Sequence, residues 1–325
     1  SLVPLLWIGF ASNFDLLATL LLIHGVAAAT QDVAVDGLCV ASTTPKERGA
    51  FNGWMQVGVL LGRAVMGGIT LSIYSYLGKY GAVGILIGAI LLSMVLLTAT
   101  ALPKRGFDPT RISLISLLNT YWAAFTSSAT WWGILFALLA GASFKSFEVL
   151  YPVFLEKHGV ADRTIGLFVA GPMIAALVLG SLAGGWLADR LGPFRSVCTA
   201  LLFVVAMVAL LASYLLAVDR FQNLVFFSVV VAIGFGIGLF TSATYAMYMN
   251  LTIPFIAATQ FSTFMGAVNG CESWSTYVLG RVAGEKWGGL GMGMLILCGV
   301  SLLALPILWK TAVEVEEHEQ PLRST

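Results

Sequence analysis

Nine long apolar runs constrain this chain more than any other feature. They lie at 15–41, 52–76, 81–102, 131–155, 164–188, 196–217, 223–249, 258–283 and 287–309. Each meets the roughly 20 residues that an α-helix needs to cross a hydrocarbon core. Membrane strands would be shorter and would alternate polar with apolar residues, and the runs do neither. The expected fold class is therefore an all-α polytopic membrane protein. Composition agrees: 58% of the 325 residues are hydrophobic and 10% are charged, against roughly 25% charged in a soluble domain. A soluble enzyme, a secreted disulfide scaffold and a disordered chain are excluded. Lys and Arg number 17 against 16 Asp and Glu, a net charge of +1, so there is no basic field to attract nucleic acid. Cys39, Cys198, Cys271 and Cys298 all fall in apolar runs and show no metal-ligand spacing.

Loop charge orients the bundle. One set of loops carries Lys46, Arg48, Lys104, Arg105, Arg111, Arg190, Arg195, Lys310 and Arg323. The other carries Lys79, Lys157, Arg163, Arg220 and Lys286. The richer set is expected in the cytoplasm. Trp54, Trp131, Trp132, Trp287 and Trp309 lie near run ends, as interfacial anchors do. Residues 1–11 form a further apolar piece too short to span, which reads as the tail of a helix whose beginning is missing. The longest loop opens PKRGFDPTR and has the Pro, Gly and basic residues of a linker. Within it, 111–123 has the pattern of an amphipathic surface helix. The expected division is 1–102 as the remainder of an N-terminal half, 103–128 as a cytoplasmic linker, 129–310 as a six-helix C-terminal half, and 311–325 as a disordered acidic tail.

Charges inside apolar runs are costly and therefore point to function. Asp32 and Asp36 are four residues apart in ATQDVAVDG and share one helix face. Two such carboxylates suit a proton carrier. They equally suit a water-filled vestibule or the capping of neighbouring helices. Lys145 and Glu148 have ion-pair spacing in FKSFEVLYP, either as a static pair or as one broken by protons or an anion, and Pro152 is expected to loosen that helix. Arg63, in LLGRAVMGG, needs an anion, with Asp32 or Asp36 as the natural partner. Glu272 is mid-run, Arg281 lies near the outer end of the same run, and His24 has apolar neighbours. Thr241, Tyr245 and Tyr248 give the 223–249 run a polar inner end that suits sugars or amides, or hydrogen bonds between helices. Gly234, Gly236 and Gly238 follow no strand, so close helix packing explains them better than a dinucleotide loop.

The segment GGWLADRLGPFR, from Gly184 to Arg195, resembles the G-x-x-x-D-R-x-G signature of the major facilitator superfamily. Here it is Gly185, Asp189, Arg190 and Gly192, with Arg195 beyond. The resemblance implies two six-helix halves, with the first two to three helices missing from this chain, and a motif that latches the cytoplasmic gate. Within the superfamily, ATQDVAVDG, the ERG at 47–49, LLGRAVMGG, FKSFE and the AATQFS at 257–262 resemble the AmpG muropeptide permease and acetyl-CoA transporter branch. Glu148 stands where that branch usually has Asp. This resemblance implies a monomeric, proton-driven importer of a muropeptide-like conjugate in the bacterial inner membrane, working by alternating access without a cofactor or metal. The candidates for proton coupling are Asp32 and Asp36 with Arg63 as countercharge. The candidates for substrate binding and gating are Lys145, Glu148, Thr241, Tyr245, Tyr248 and Glu272. A permease for another solute or a CoA-type anion, or a non-transporting sensor, are the alternatives. An enzyme would want a His-Asp or Ser-His constellation near one interface, and the sequence offers none.

Overall fold

A computed structural model describes residues 13–64, 69–99, 114–218, 222–253, 256–283 and 289–323. Those residues form helices and short connections, with no strand among them. Helix α1 (Phe14–Ser42) starts where the Asn13 side chain accepts a hydrogen bond from the Leu16 N–H at 2.8 Å, and Asp15 adds a favourable charge in the first turn. It ends before Pro45. The Thr44 hydroxyl then donates to the Glu47 carboxylate at 2.8 Å, closing the turn into α2 (Arg48–Gly62). Helix α3 (Ile69–Ala99) is kinked at Gly78, whose φ of 60° only glycine adopts readily. Helix α4 (Leu114–Thr126) occupies the segment expected to lie on the membrane surface.

The 131–155 run is two helices, α5 (Ser128–Ala140) and α6 (Ala142–Lys157), broken at Gly141. Pro152, expected to loosen the run, is instead carried within unbroken α6. Helix α7 (Asp162–Phe168) passes through a π-helical turn (Val169–Met173) holding Pro172 into α8 (Ile174–Leu191). The wider turn accommodates a residue that cannot donate a backbone hydrogen bond. Gly192 (φ 83°) makes the reversal, and Pro193 opens α9 (Pro193–Ala217) in the first-turn position it favours. Then follow α10 (Asn223–Leu251), α11 (Ala257–Val282), α12 (Gly289–Leu302) and α13 (Ala304–Arg323). The break before α13 fits Pro306, which has no N–H to offer the carbonyl of Leu302. Helix α13 runs on into the expected disordered tail. Glu314 accepts from the Trp132 indole at 3.1 Å and from the Ser128 hydroxyl, and Lys310 lies 4.6 Å over the Trp132 ring, so this part of the tail is packed.

Seven of the described stretches are long and apolar enough to cross a membrane: 14–40, 80–99, 128–157, 162–191, 193–217, 223–251 and 289–314. Helix α11 is 26 residues long but too polar to join them, because one of its faces is turned to a cavity. The protein is an integral membrane protein with an all-helical bundle fold. Large apolar side chains such as Leu22 (70% exposed) and Leu303 (62%) face outward, as lipid-facing residues do.

Small residues let the inner helices meet backbone to backbone. Along α8 and α10, a Cβ on Gly180 or Gly184 would overlap the carbonyl of Phe235 or Leu239, and one on Gly238 would overlap that of Leu177. Gly234 and Gly236 are closed in by Met173 and Val204. The GxGxG stretch is thus a packing surface, as its sequence context suggests.

Candidate functional site

Six helices enclose one cavity of about 600 Å³. Each contributes a stripe at helical spacing, the pattern by which one face of a helix reaches a common space. Helix α1 supplies Ala29, Asp32 and Asp36, and α2 supplies Gln56, Val59 and Arg63. From the far side come Lys145 and Glu148 of α6, Ser181 of α8, Thr241 and Tyr245 of α10, and Ser262 and Asn269 of α11. Charged groups from the first half therefore face charged groups from the second across one space. That is where alternating-access proteins place a solute site.

Of the two charge pairings the sequence suggests, Lys145 with Glu148 forms and Arg63 with Asp32 or Asp36 does not. Lys145 lies 3.7 Å from the Glu148 carboxylate on its own helix and 3.7 Å from the Glu272 carboxylate on α11. One cation is thus shared by two anions, and all three side chains keep some exposure, 20%, 24% and 42%. Gly141 makes room for this triad: a Cβ there would come within 3.0 Å of the Lys145 Cγ. Arg63 lies at the start of a wide π-type turn. Among the described residues no ion pair joins it to Asp32 or Asp36, the partners expected for it.

Two expected contacts to solute, Glu272 and Tyr248, are not among the residues lining the cavity. Tyr248 is fully buried behind the cavity wall, stacked on Phe264 with ring centroids 4.8 Å apart. Tyr245 is the tyrosine that reaches the cavity, with its ring edge-on to Phe261. Arg281 lies over the Tyr277 ring on the outside, and His24 is half-buried on α1. Gln56, Ser181, Ser262 and Asn269 are cavity residues that the sequence reading missed. Neutral polar side chains do not stand out in a run that also packs by hydrogen bonds. The traceable signal is spacing: Gln56 precedes Arg63 by seven residues, and Asn269 follows Ser262 by seven.

A latch between α8 and the start of α2 is built on the signature residue Asp189. The Asp189 carboxylate accepts from the Gly49 N–H at 2.8 Å and the Ala50 N–H at 2.7 Å. It caps the N-terminus of α2, where orphan donors and the helix dipole both favour an anion. Gly49 and Gly185 permit this approach, since a Cβ on either would overlap the other's carbonyl oxygen. Arg190 turns outward over the Trp186 ring at 4.4 Å, and Arg195 is exposed. A second clamp went unread in the sequence. Arg48, buried at 8% exposure, donates to the Met249 carbonyl at 2.8 Å and the Asn250 side chain at 2.7 Å, at the C-terminal end of α10. The Asn52 amide donates to the Arg48 carbonyl at 2.6 Å and lies 3.2 Å from the Met249 sulfur. The two clamps are reciprocal: an anion from the second half caps a helix start in the first, and a cation from the first half caps a helix end in the second.

Comparison with known proteins bears on both cavity and latch. A sequence model described as Major Facilitator Superfamily matches residues 1–276. A nitrite extrusion protein of Bacillus subtilis (strain 168) is 29% identical over 275 residues, 84% of this chain and 63% of its own length. The chain thus spans less than two thirds of that relative. Among solved structures, a bacterial homologue of the iron transporter ferroportin in an outward-facing state superposes with a TM-score of 0.68. The match has 15% identity and covers 96% of this chain and 80% of that one. The same kind of homologue with soaked iron gives a TM-score of 0.65 at 16% identity, with the same coverage. At those identities the likeness concerns the fold.

Proposed function

The chain belongs to the Major Facilitator Superfamily, and from that premise we propose that it is a secondary active transporter whose solute binds in the cavity between the halves. The observation that carries this reading is the joint lining of one space of about 600 Å³ by Asp32, Asp36 and Arg63 from one half and Lys145, Glu148 and Tyr245 from the other. A solute held by both halves biases which way they rock. The Asp189 and Arg48 clamps are engaged, which supports reading the end with the basic loops as the closed one. Import then needs the clamps to open, and the freed α2 N-terminus and α10 C-terminus to be hydrated in their place. The work is binding and movement without bond making, so an ion gradient, and no cofactor, supplies the energy.

The finer reading is proton-coupled import of a muropeptide-like conjugate across a bacterial inner membrane. It is supported by the resemblance of the ATQDVAVDG, ERG, LLGRAVMGG and FKSFE segments to the AmpG branch, and by the mixture of hydroxyl, amide and aromatic side chains in the cavity. Asp32 and Asp36, one turn apart on the same wall, are its proton carriers. A second reading, movement of a small oxoanion, is favoured by the likeness to the nitrite extrusion protein. Reconstituted protein tests both. A pH gradient is imposed on proteoliposomes loaded with, or bathed in, labelled N-acetylmuramyl peptide or nitrite. The expected result is concentrative movement of one of them. Asp32→Asn is expected to abolish accumulation while sparing exchange. Unchanged accumulation in that variant removes Asp32 from coupling, and movement of neither solute contradicts both readings.

A further inference from the structure

Among the described residues two cations, Arg63 and Lys145, line the cavity, and they are in different electrostatic states. Lys145 is held by two carboxylates, each 3.7 Å away. Its charge is more than matched before any solute arrives. Arg63 lines the same cavity and makes no ion pair with a described residue, although Asp32 and Asp36 line that space too. A guanidinium stays protonated in any protein environment, and that of Arg63 is exposed, so its donors are open to an anion that enters the cavity. Residues 65–68, which follow it in the chain, are Val, Met, Gly and Gly and bring no carboxylate.

From this contrast we infer that Arg63 is the cavity's anchor for the anionic group of the solute, a planar carboxylate or oxoanion, and that Lys145 is not. The inference rests on the transport reading above and assigns the recognition chemistry of that same site. A guanidinium presents a rigid fork of N–H donors that matches two oxygens of one planar group, whereas an ammonium acts as a point charge. The lone pairs of a carboxylate outnumber the two bonds of such a fork. Gln56, on the same face of α2, and Asn269 and Ser262 of α11 bring further donors to the cavity. The Ser262 hydroxyl oxygen has no hydrogen-bond partner among the described residues. The triad of Glu148, Lys145 and Glu272 is then left to respond to closure. It spans α6 and α11, so relative movement of those helices changes its distances.

The test measures binding to the full protein in detergent by intrinsic tryptophan fluorescence. The probes are sodium nitrite, N-acetylmuramyl dipeptide and the carboxyl-amidated form of that dipeptide. Arg63→Gln is expected to weaken the charged probe that binds by about tenfold or more, and to leave the amidated dipeptide unchanged. Arg63→Lys is expected to recover part of the loss. A response confined to nitrite identifies a free oxoanion as the source, and one confined to the dipeptide identifies a carboxylate on a larger solute. Wild-type affinity for the charged probes in Arg63→Gln, or equal losses for charged and amidated dipeptide, overturns the assignment while leaving the transport reading standing. Failure of the unaltered protein to bind either charged probe overturns the assignment, and solute movement in proteoliposomes then shows separately whether the transport reading survives.

Discussion

The latch and the cavity are built from overlapping sets of helices, with charges in both, yet they use those charges in opposite ways. At the latch the contacts are short and mostly directed at backbone. Asp189 meets two N–H groups at 2.7–2.8 Å, Arg48 meets a carbonyl at 2.8 Å, and two glycines allow no gap between α2 and α8. Around the cavity the ion pairs are longer, at 3.7 Å, one lysine is divided between two carboxylates, and Arg63 makes no ion pair with a described residue. Backbone contacts fix a geometry, because neither partner can rotate away. Side chain contacts at longer range leave a geometry adjustable. A transporter needs both, a closed end with one definite shape and a site whose charges can change partners.

If that contrast is right, latch substitutions move stability of the closed form and cavity substitutions move transport. Gly185→Val is expected to be the most damaging. Its side chain has to displace the Gly49 backbone, an overpacking cost of about 3 kcal/mol, seen as a large fall in thermal stability and loss of the closed conformation. Arg48→Met leaves the Asn250 side chain without its Arg48 donor and the Met249 carbonyl with the Thr252 hydroxyl alone, for about 2 kcal/mol, read as a lower melting temperature. Asp189→Asn keeps the shape but loses the anion at the α2 N-terminus, for about 1 kcal/mol, because the carboxylate is solvent-exposed. Glu272→Gln is expected to change the melting temperature least, since the side chain is 42% exposed and its pair with Lys145 is long. Its solute movement in proteoliposomes is expected to change clearly. A Glu272→Gln variant that melts early but transports normally reverses the comparison.

Much of this architecture is legible in the sequence, for a physical reason. A bilayer demands long apolar runs, and α1, α9, α10 and α11 begin and end within about three residues of the runs that announce them. Asp32, Asp36, Arg63, Lys145, Glu148, Thr241 and Tyr245 stand out because polar groups are rare in such runs, and the fold brings all seven to one cavity. What stays hidden depends on distant partners. Arg48 lies between two apolar runs and counts as an ordinary loop charge, yet it is buried against a helix end 201 residues away. Breaks inside runs are hidden too. Gly141 interrupts its helix where Lys145 needs space, while the more conspicuous Pro152 does not. The tail is packed rather than disordered at Glu314 because Trp132 and Ser128 receive that carboxylate, a pairing no local pattern reveals.

The central claim is that the two halves part at the latch when the protein works. Spin labels at Lys46→Cys and Arg195→Cys, with the four native cysteines replaced by serine, flank the latch from opposite halves. Pulsed electron-electron resonance then reads their separation. The account predicts one short distance at rest and a second, longer population when a transported solute is added, with Asp189→Asn enlarging the longer population. A single short distance under every condition, in the Asp189→Asn variant as in the parent, contradicts it.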